Sequence, residues 1–137
     1  MKTYIPGILT LAIDFDGTIT TETHLGHELQ LRESADFVIP ALHDTGKVKM
    51  ILWTCRSGTA LQQAVQFLRV KGLLPYFSAI NDNLPEIAAK YAPDVSRKIG
   101  ADLYIDDRNF YAGPEGEVDW MEIYDMLTGG VLNDLNR

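Results

Sequence analysis

A single cysteine, six prolines and no apolar run near the ~20 residues of a membrane span set the first limits on this 137-residue chain. Cys55 has no partner for an intrachain disulfide. It sits in an apolar run rather than in metal-ligand spacing, which suits a reducing cytoplasm and a small packed side chain rather than a nucleophile. Positive charge is also scarce: 12 Lys and Arg stand against 19 Asp and Glu, a net −7. Such a field repels nucleic acid and anionic membrane surfaces. Repeats, low-complexity tracts and linkers are missing too. The opening stretch, MKTYIPGILTLAIDFDG, is broken by Pro6, Gly7 and two aspartates, so it reads as a first strand and not as a secretion signal. With 46% hydrophobic and 23% charged residues, residues 1–137 make one globular domain able to bury roughly two thirds of its unfolded surface.

What is present is alternation. GILTLAID (7–14) and VKMILWT (48–54) are short apolar runs of the kind buried on both faces of a sheet. FSAIND (77–82) and ADLYIDD (101–107) add two more strands. Between them lie helical patterns. Ala35–Asp44 reads as a short helix, with Pro40 marking a break or a start and Gly46 a stop. After Ser57, a capping residue, Ala60, Leu61, Ala64, Val65 and Leu68 recur at helical spacing until Gly72. LPEIAAKYA (84–92) is a third helix, and DWMEIYDML (119–127) a fourth, capped by Asp119. Strands alternating with helices imply a doubly wound, Rossmann-like α/β domain: a parallel sheet with helices on both faces. Ligands of such sheets bind beyond the carboxyl ends of the strands. Three polar clusters fall there: Asp14 with Asp16, Thr54 with Arg56, and Asp106 with Asp107.

These clusters carry a resemblance. DFDGTIT resembles the first motif of the haloacid dehalogenase superfamily of phosphohydrolases, and ILWTCRSG its second, an apolar strand ending in Thr or Ser. RKIGADLYIDDRN resembles the third and fourth, a lysine followed by a strand ending in paired aspartates. The motifs come in the family's order and span residues 8–109. The resemblance implies a phosphatase, because an aspartate at the second position of the first motif goes with phosphate-ester chemistry.

The chemistry is coherent on the residues alone. A carboxylate can attack phosphorus and form an acyl phosphate, splitting hydrolysis into two easier displacements; Asp14 is the candidate nucleophile. Asp16, two residues on, can protonate the leaving oxygen and then deprotonate the water that cleaves the aspartyl-phosphate. Gly17 allows a sharp turn whose amides face phosphate oxygens. Thr54 offers a hydroxyl to a phosphoryl oxygen. Lys98, eight residues before Asp106, offers a point charge to the transition state, with Lys90 as the fallback. Arg56 either forks onto a phosphate or second anionic group, or caps its loop.

Four aspartates face two cations, Arg56 and Lys98, before a dianionic substrate arrives, so a hard cation is needed, and Mg²⁺ suits carboxylate and phosphate oxygens. The resemblance implies as its ligands a carboxylate oxygen of Asp14, the backbone carbonyl of Asp16, and Asp106, with Asp107 beside them; which of the last pair ligates directly stays open. A calcium loop is the wrong reading, since DFDGTITTETHL lacks an EF-hand's further oxygen ligand and closing glutamate. His24, His27 and His43 have no metal spacing and read as surface or helix residues; Trp53, Phe67 and Trp120 read as core. Phe110 and Tyr111 line the entrance or join the core.

The spans 21–53 and between Thr54 and Lys98 hold little beyond helix and strand. No large cap is inserted, and TETHLGHELQLRESAD (21–36) is at most a small flap. An open site accepts a macromolecular ester, borrows a second copy of the chain as a lid in a homo-oligomer, or is permissive toward small phosphorylated molecules. The alternative is a phosphoreceiver or phosphate-sensing protein with little turnover. Receivers, however, carry the phosphorylated aspartate on a middle strand, with the acidic pair after the first.

Overall fold

Apolar residues on both sides of a strand force cover on both faces of the sheet it joins. LTLAI and VKMIL meet that condition. The computed structural model describes residues 2–21, 28–109 and 117–135. In it, β1 (Leu9–Ile13) is buried along its whole length and pairs in parallel with β2 (Val48–Leu52), from Leu9 against Val48 to Ile13 against Leu52. β3 (Phe77–Ile80) joins the outer side of β2, and β4 (Leu103–Ile105) the other side of β1, both parallel. The order β3-β2-β1-β4 makes a four-stranded, all-parallel sheet in an α/β, Rossmann-like fold.

The helices are α1 (Ala35–Asp44), α2 (Gly58–Val70), α3 (Pro85–Tyr91) and α4 (Trp120–Gly129). Alternation along the strands splits their side chains between two cores. Leu9, Leu11, Ile13, Met50 and Leu52 join the apolar faces of α1, α2 and α4, including Val38, Leu42, Leu68 and Trp120. Ala12 and Ile51 face the other way, onto Leu84, just before α3, Ile87 within it, and Ile99 and Ala101. The sheet is therefore covered on both faces, three helices against one. Among the described residues, no helix is long and apolar enough to cross a membrane.

Local departures have local causes. Pro40 neither starts nor breaks α1 but lies inside it; the buried Ala35, Val38, Ile39 and Leu42 hold the helix across the one hydrogen bond a proline cannot make. Ser57 precedes α2 as expected, yet its side chain makes no capping bond, whereas the Asp119 carboxylate accepts from the Glu122 amide at 3.1 Å. Cys55, expected to pack, is exposed, because the chain has left the sheet by that residue. Trp53 is half-buried against the smaller core and Phe67 against the larger; Trp120 is fully buried.

Candidate active site

The strand order places the chemistry. The chain runs outward from β1 to β2 to β3, then returns across the sheet to add β4 on the far side of β1. Its reversal falls between β1 and β4, where open α/β sheets form a crevice. Register aligns the ends: Ile13 lies opposite both Leu52 and Ile105. The Asp14 amide donates to the Ile105 carbonyl at 3.0 Å, and the Trp53 amide to the Ile13 carbonyl at 2.9 Å. Asp14, Thr54, Asp106 and Asp107 thus leave one sheet edge together.

Carboxylate oxygens of Asp14, Asp106 and Asp107 all lie within 4.8 Å of one another. Burial pushes the Asp14 carboxyl from 3.8 up to about 7; the Phe15 amide opposes this, and the charges of Asp106, Asp107 and Asp16 add to it. Asp107 is likewise pushed up by burial and by its hydrogen bond to Asp106. Like charges held this close titrate as a group. Three hard oxygen donors held this close, with the Asp14 and Asp107 carboxyls pushed up, fit a divalent cation.

The turn over this cluster is built from the first motif. Gly17 adopts φ +75°, in the left-handed region, and a Cβ there would collide with the Asp107 carboxylate, its Cγ only 2.9 Å away. Only glycine lets the turn lie against that side chain. Distant residues brace it. The Asp107 amide donates to Thr18 Oγ1 at 3.0 Å, Trp120 Nε1 to the Thr18 carbonyl at 2.8 Å, and Arg32 Nη2 to the Gly17 carbonyl at 2.9 Å.

Asp16 stands apart from the three carboxylates. Arg56 grips it with Nε on Oδ2 and Nη2 on Oδ1, both at 2.8 Å, and this bond lifts the guanidinium above its ordinary value. The same Arg56 donates through Nη1 to the Ala60 carbonyl at 3.0 Å and lies over the Phe15 ring, 5.1 Å from its centre. The loop-capping reading of Arg56 agrees with this; its fork is taken by a protein carboxylate, Asp16, rather than by a phosphate or a second substrate anion. Both carboxylate oxygens of Asp16 are thereby engaged by Arg56 and not by the cluster.

Thr54 is fixed from β3. Its amide donates to Asn81 Oδ1 at 2.8 Å, its hydroxyl accepts from the Arg56 amide at 3.1 Å, and Asn81 Nδ2 donates to the Arg56 carbonyl at 3.3 Å. Asn81 does this from a left-handed φ of 52°. Lys98 is not brought to the carboxylates. It is exposed, makes no ion pair among the described residues, and its ammonium stands 5.7 Å from the centre of the Tyr104 ring. Lys90 is no closer to the role, lying over the Tyr91 ring at 5.5 Å. His43 is an exposed helix residue beside Asp44. His24, His27, Phe110, Tyr111 and residues 22–27 of the 21–36 flap lie outside the described residues.

Asn81, Arg32 and Thr18 went unmarked in the sequence. Asn81 had one available signal: an asparagine just past a strand suits a left-handed turn.

No protein-family model and no curated protein matches the chain. The solved structure of a conserved protein from Bacteroides thetaiotaomicron is similar to it at 36% identity, with a TM-score of 0.69, over 89% of this chain and 91% of that one. At that identity and coverage, the chain belongs to the same family as this conserved protein.

Proposed function

We propose that this family member is a Mg²⁺-dependent phosphomonoester hydrolase of the haloacid dehalogenase type, acting through an aspartyl-phosphate on Asp14. The observation that carries the reading is the convergence of Asp14, Asp106 and Asp107 at the sheet's crevice, with Asp14 pushed up to about 7. The four ordered motifs support it.

An Asp14 oxygen attacks phosphorus, and the bond from phosphorus to the ester oxygen breaks. Asp16 gives its proton to the departing oxygen. Water then attacks the acyl phosphate, Asp16 takes a proton back, and inorganic phosphate leaves with the Asp14 carboxylate restored. Arg56 orients Asp16, and one prong of the pair opens to free the oxygen that carries the proton in both transfers. The Thr54 hydroxyl and the amides after Gly17 bind phosphoryl oxygens, and Lys98 swings from Tyr104 to offset their charge. Asp14, Asp106, Asp107 and the Asp16 carbonyl would hold Mg²⁺, which would supply charge neutralisation for the phosphoryl transfer.

One observation favours the phosphate-sensing alternative: Asp16 is engaged by Arg56 and Lys98 by Tyr104, so both groups needed for turnover are occupied. Acid quench during incubation with Mg²⁺ and a phosphate donor, followed by mass spectrometry, separates the two. The hydrolase shows a short-lived phosphoryl group on the Asp14 peptide, absent in Asp14→Asn. A phosphoryl group persisting for minutes supports the sensor, and its absence from Asp14 under all conditions sinks both.

A further inference from the structure

Gly17 meets one need at the carboxylate cluster and creates another. It lets the turn lie against Asp107, but a glycine backbone is the least restrained in the chain, so its own covalent geometry does not keep the turn in one conformation. Asp16 at φ −67°, ψ 125° and Gly17 at φ 75°, ψ −1° form a type II turn between Phe15 and Thr18. Two side chains from outside the motif hold the next two carbonyls: Arg32 Nη2 that of Gly17 and Trp120 Nε1 that of Thr18. Trp120 is a core residue whatever it bonds. Arg32 is not.

Paired backbone delivers Arg32 to the turn. Its amide donates to the Ile19 carbonyl at 2.8 Å, the Thr21 amide donates to the Gln30 carbonyl at 2.9 Å, and Thr20 bridges Leu31 in antiparallel fashion. At the start of α1 its carbonyl accepts from the Ala35 amide at 3.1 Å. The guanidinium is half-buried. Among the described residues it makes no ion pair and no hydrogen bond except the one to Gly17, and its Nε is buried without a partner. For stability alone this is a poor arrangement, because charge and an unmade donor are taken from water with little return. A charged donor on a carbonyl is, however, a stronger tether than a neutral one.

The tether reaches the carboxylates through one peptide. The Gly17 carbonyl and the start of Thr18 share a rigid plane, and Thr18 Oγ1 accepts from the Asp107 amide at 3.0 Å. Holding that plane holds both neighbours of Asp107, the Gly17 Cα against its carboxylate and the Thr18 hydroxyl on its amide. We propose that Arg32 is a positioning residue for the cation site, keeping Asp107 beside Asp14 and Asp106 through the Gly17–Thr18 peptide. Its effect on turnover rests on the hydrolase reading; its effect on cation binding rests on the carboxylate cluster alone.

The test compares Arg32→Met, which keeps the apolar stem and removes the donor, with Arg32→Lys, which restores one charged donor. Mg²⁺ binding is measured by calorimetric titration without substrate, turnover with p-nitrophenyl phosphate at saturating Mg²⁺, and melting temperature alongside. Arg32→Met should raise the Mg²⁺ dissociation constant about tenfold and lower kcat about 10- to 100-fold, as loss of a residue that orients metal ligands does. KM should hardly change, since Arg32 does not touch the ester. Arg32→Lys should recover most of both, because only one donor is in use. If Arg32→Met melts lower yet keeps wild-type Mg²⁺ affinity and kcat, Arg32 is merely structural; the proposal is overturned and the hydrolase stands. An Arg32→Lys as impaired as Arg32→Met also overturns it. If no ester is turned over, the hydrolase reading falls and the titration alone decides: binding weakened in Arg32→Met and regained in Arg32→Lys supports the proposal, and equal binding, or none in wild type, overturns it. Should Arg32→Met fail to fold, Arg32→Gln, with a shorter neutral donor, takes its place under the same outcomes.

Discussion

Arg56 and Asp16 form a two-pronged ion pair, Nε to Oδ2 and Nη2 to Oδ1, each 2.8 Å, with the arginine's own side chain only 15% exposed. The pair joins the second motif's loop to the first motif's turn. A planar fork fixes both position and rotation of a carboxylate, which a lysine cannot do. Arg56→Ala should therefore lower kcat by about 10- to 100-fold, a part of what a positioned acid or base contributes. Arg56→Lys should recover little of the loss. Steady-state kinetics with folding checked by circular dichroism decide it, and an unchanged kcat in Arg56→Ala would mean the pair is merely structural.

Gly17 meets two demands at once, a left-handed backbone and the nearness of the Asp107 carboxylate. Gly17→Ala should cost about 1–3 kcal/mol of stability and weaken Mg²⁺ binding, since Asp107 must move away. Urea unfolding and calorimetric titration with Mg²⁺ measure the two effects; a variant with wild-type stability would show that the turn relaxes freely.

The raised Asp14 carboxyl fixes a pH dependence for the metal-free protein. Its folded value of about 7 lies above the unfolded 3.8, so between these values the folded state holds a proton that the unfolded state has lost. Stability from this group falls as pH rises from about 4 to 7 and stays low above. Asp107 shifts in the same direction. Without metal, Asp14→Asn should thus melt higher than wild type at pH 8, and the gap should shrink toward pH 5. Added Mg²⁺ should raise the wild-type melting temperature more at pH 8 than at pH 5. Equal melting curves for the two proteins at pH 8 would refute the buried-charge account.

Asn81 links β3 to the Thr54 loop from a left-handed conformation. Asn81→Gly keeps the backbone and removes only the side-chain bonds, so it isolates their role. The expected result is a loss of about 1–2 kcal/mol and a higher KM for a phosphomonoester, as Thr54 loses its anchor. If Asn81→Gly keeps the wild-type KM, Thr54 is held by other means.

Strands and carboxylates were legible because each follows from a short-range rule. Runs of Ile, Leu and Val exclude exposure, and polar residues at their ends lie at the sheet's edge, so GILTLAID and ADLYIDD placed Asp14, Asp106 and Asp107 together. Side-chain pairing was not so legible. Arg56 has several extended conformers, and whether it meets a phosphate or Asp16 depends on a turn 40 residues away. Lys98 was placed by its distance from Asp106 along the chain, but the Tyr104 ring that holds its ammonium belongs to a tertiary contact. Cys55 continues the apolar run in sequence but is exposed, because β2 ends at Leu52. Arg32 and Trp120 brace the first motif from positions in the chain where no local pattern marks a partner.

The most direct measurement is phosphate release from a panel of phosphomonoesters, with and without Mg²⁺, by wild type and Asp14→Asn side by side. The account predicts release that requires Mg²⁺ and disappears in Asp14→Asn while the variant stays folded. Release by Asp14→Asn at the wild-type rate would contradict it, as would a wild type that frees phosphate equally well in chelator.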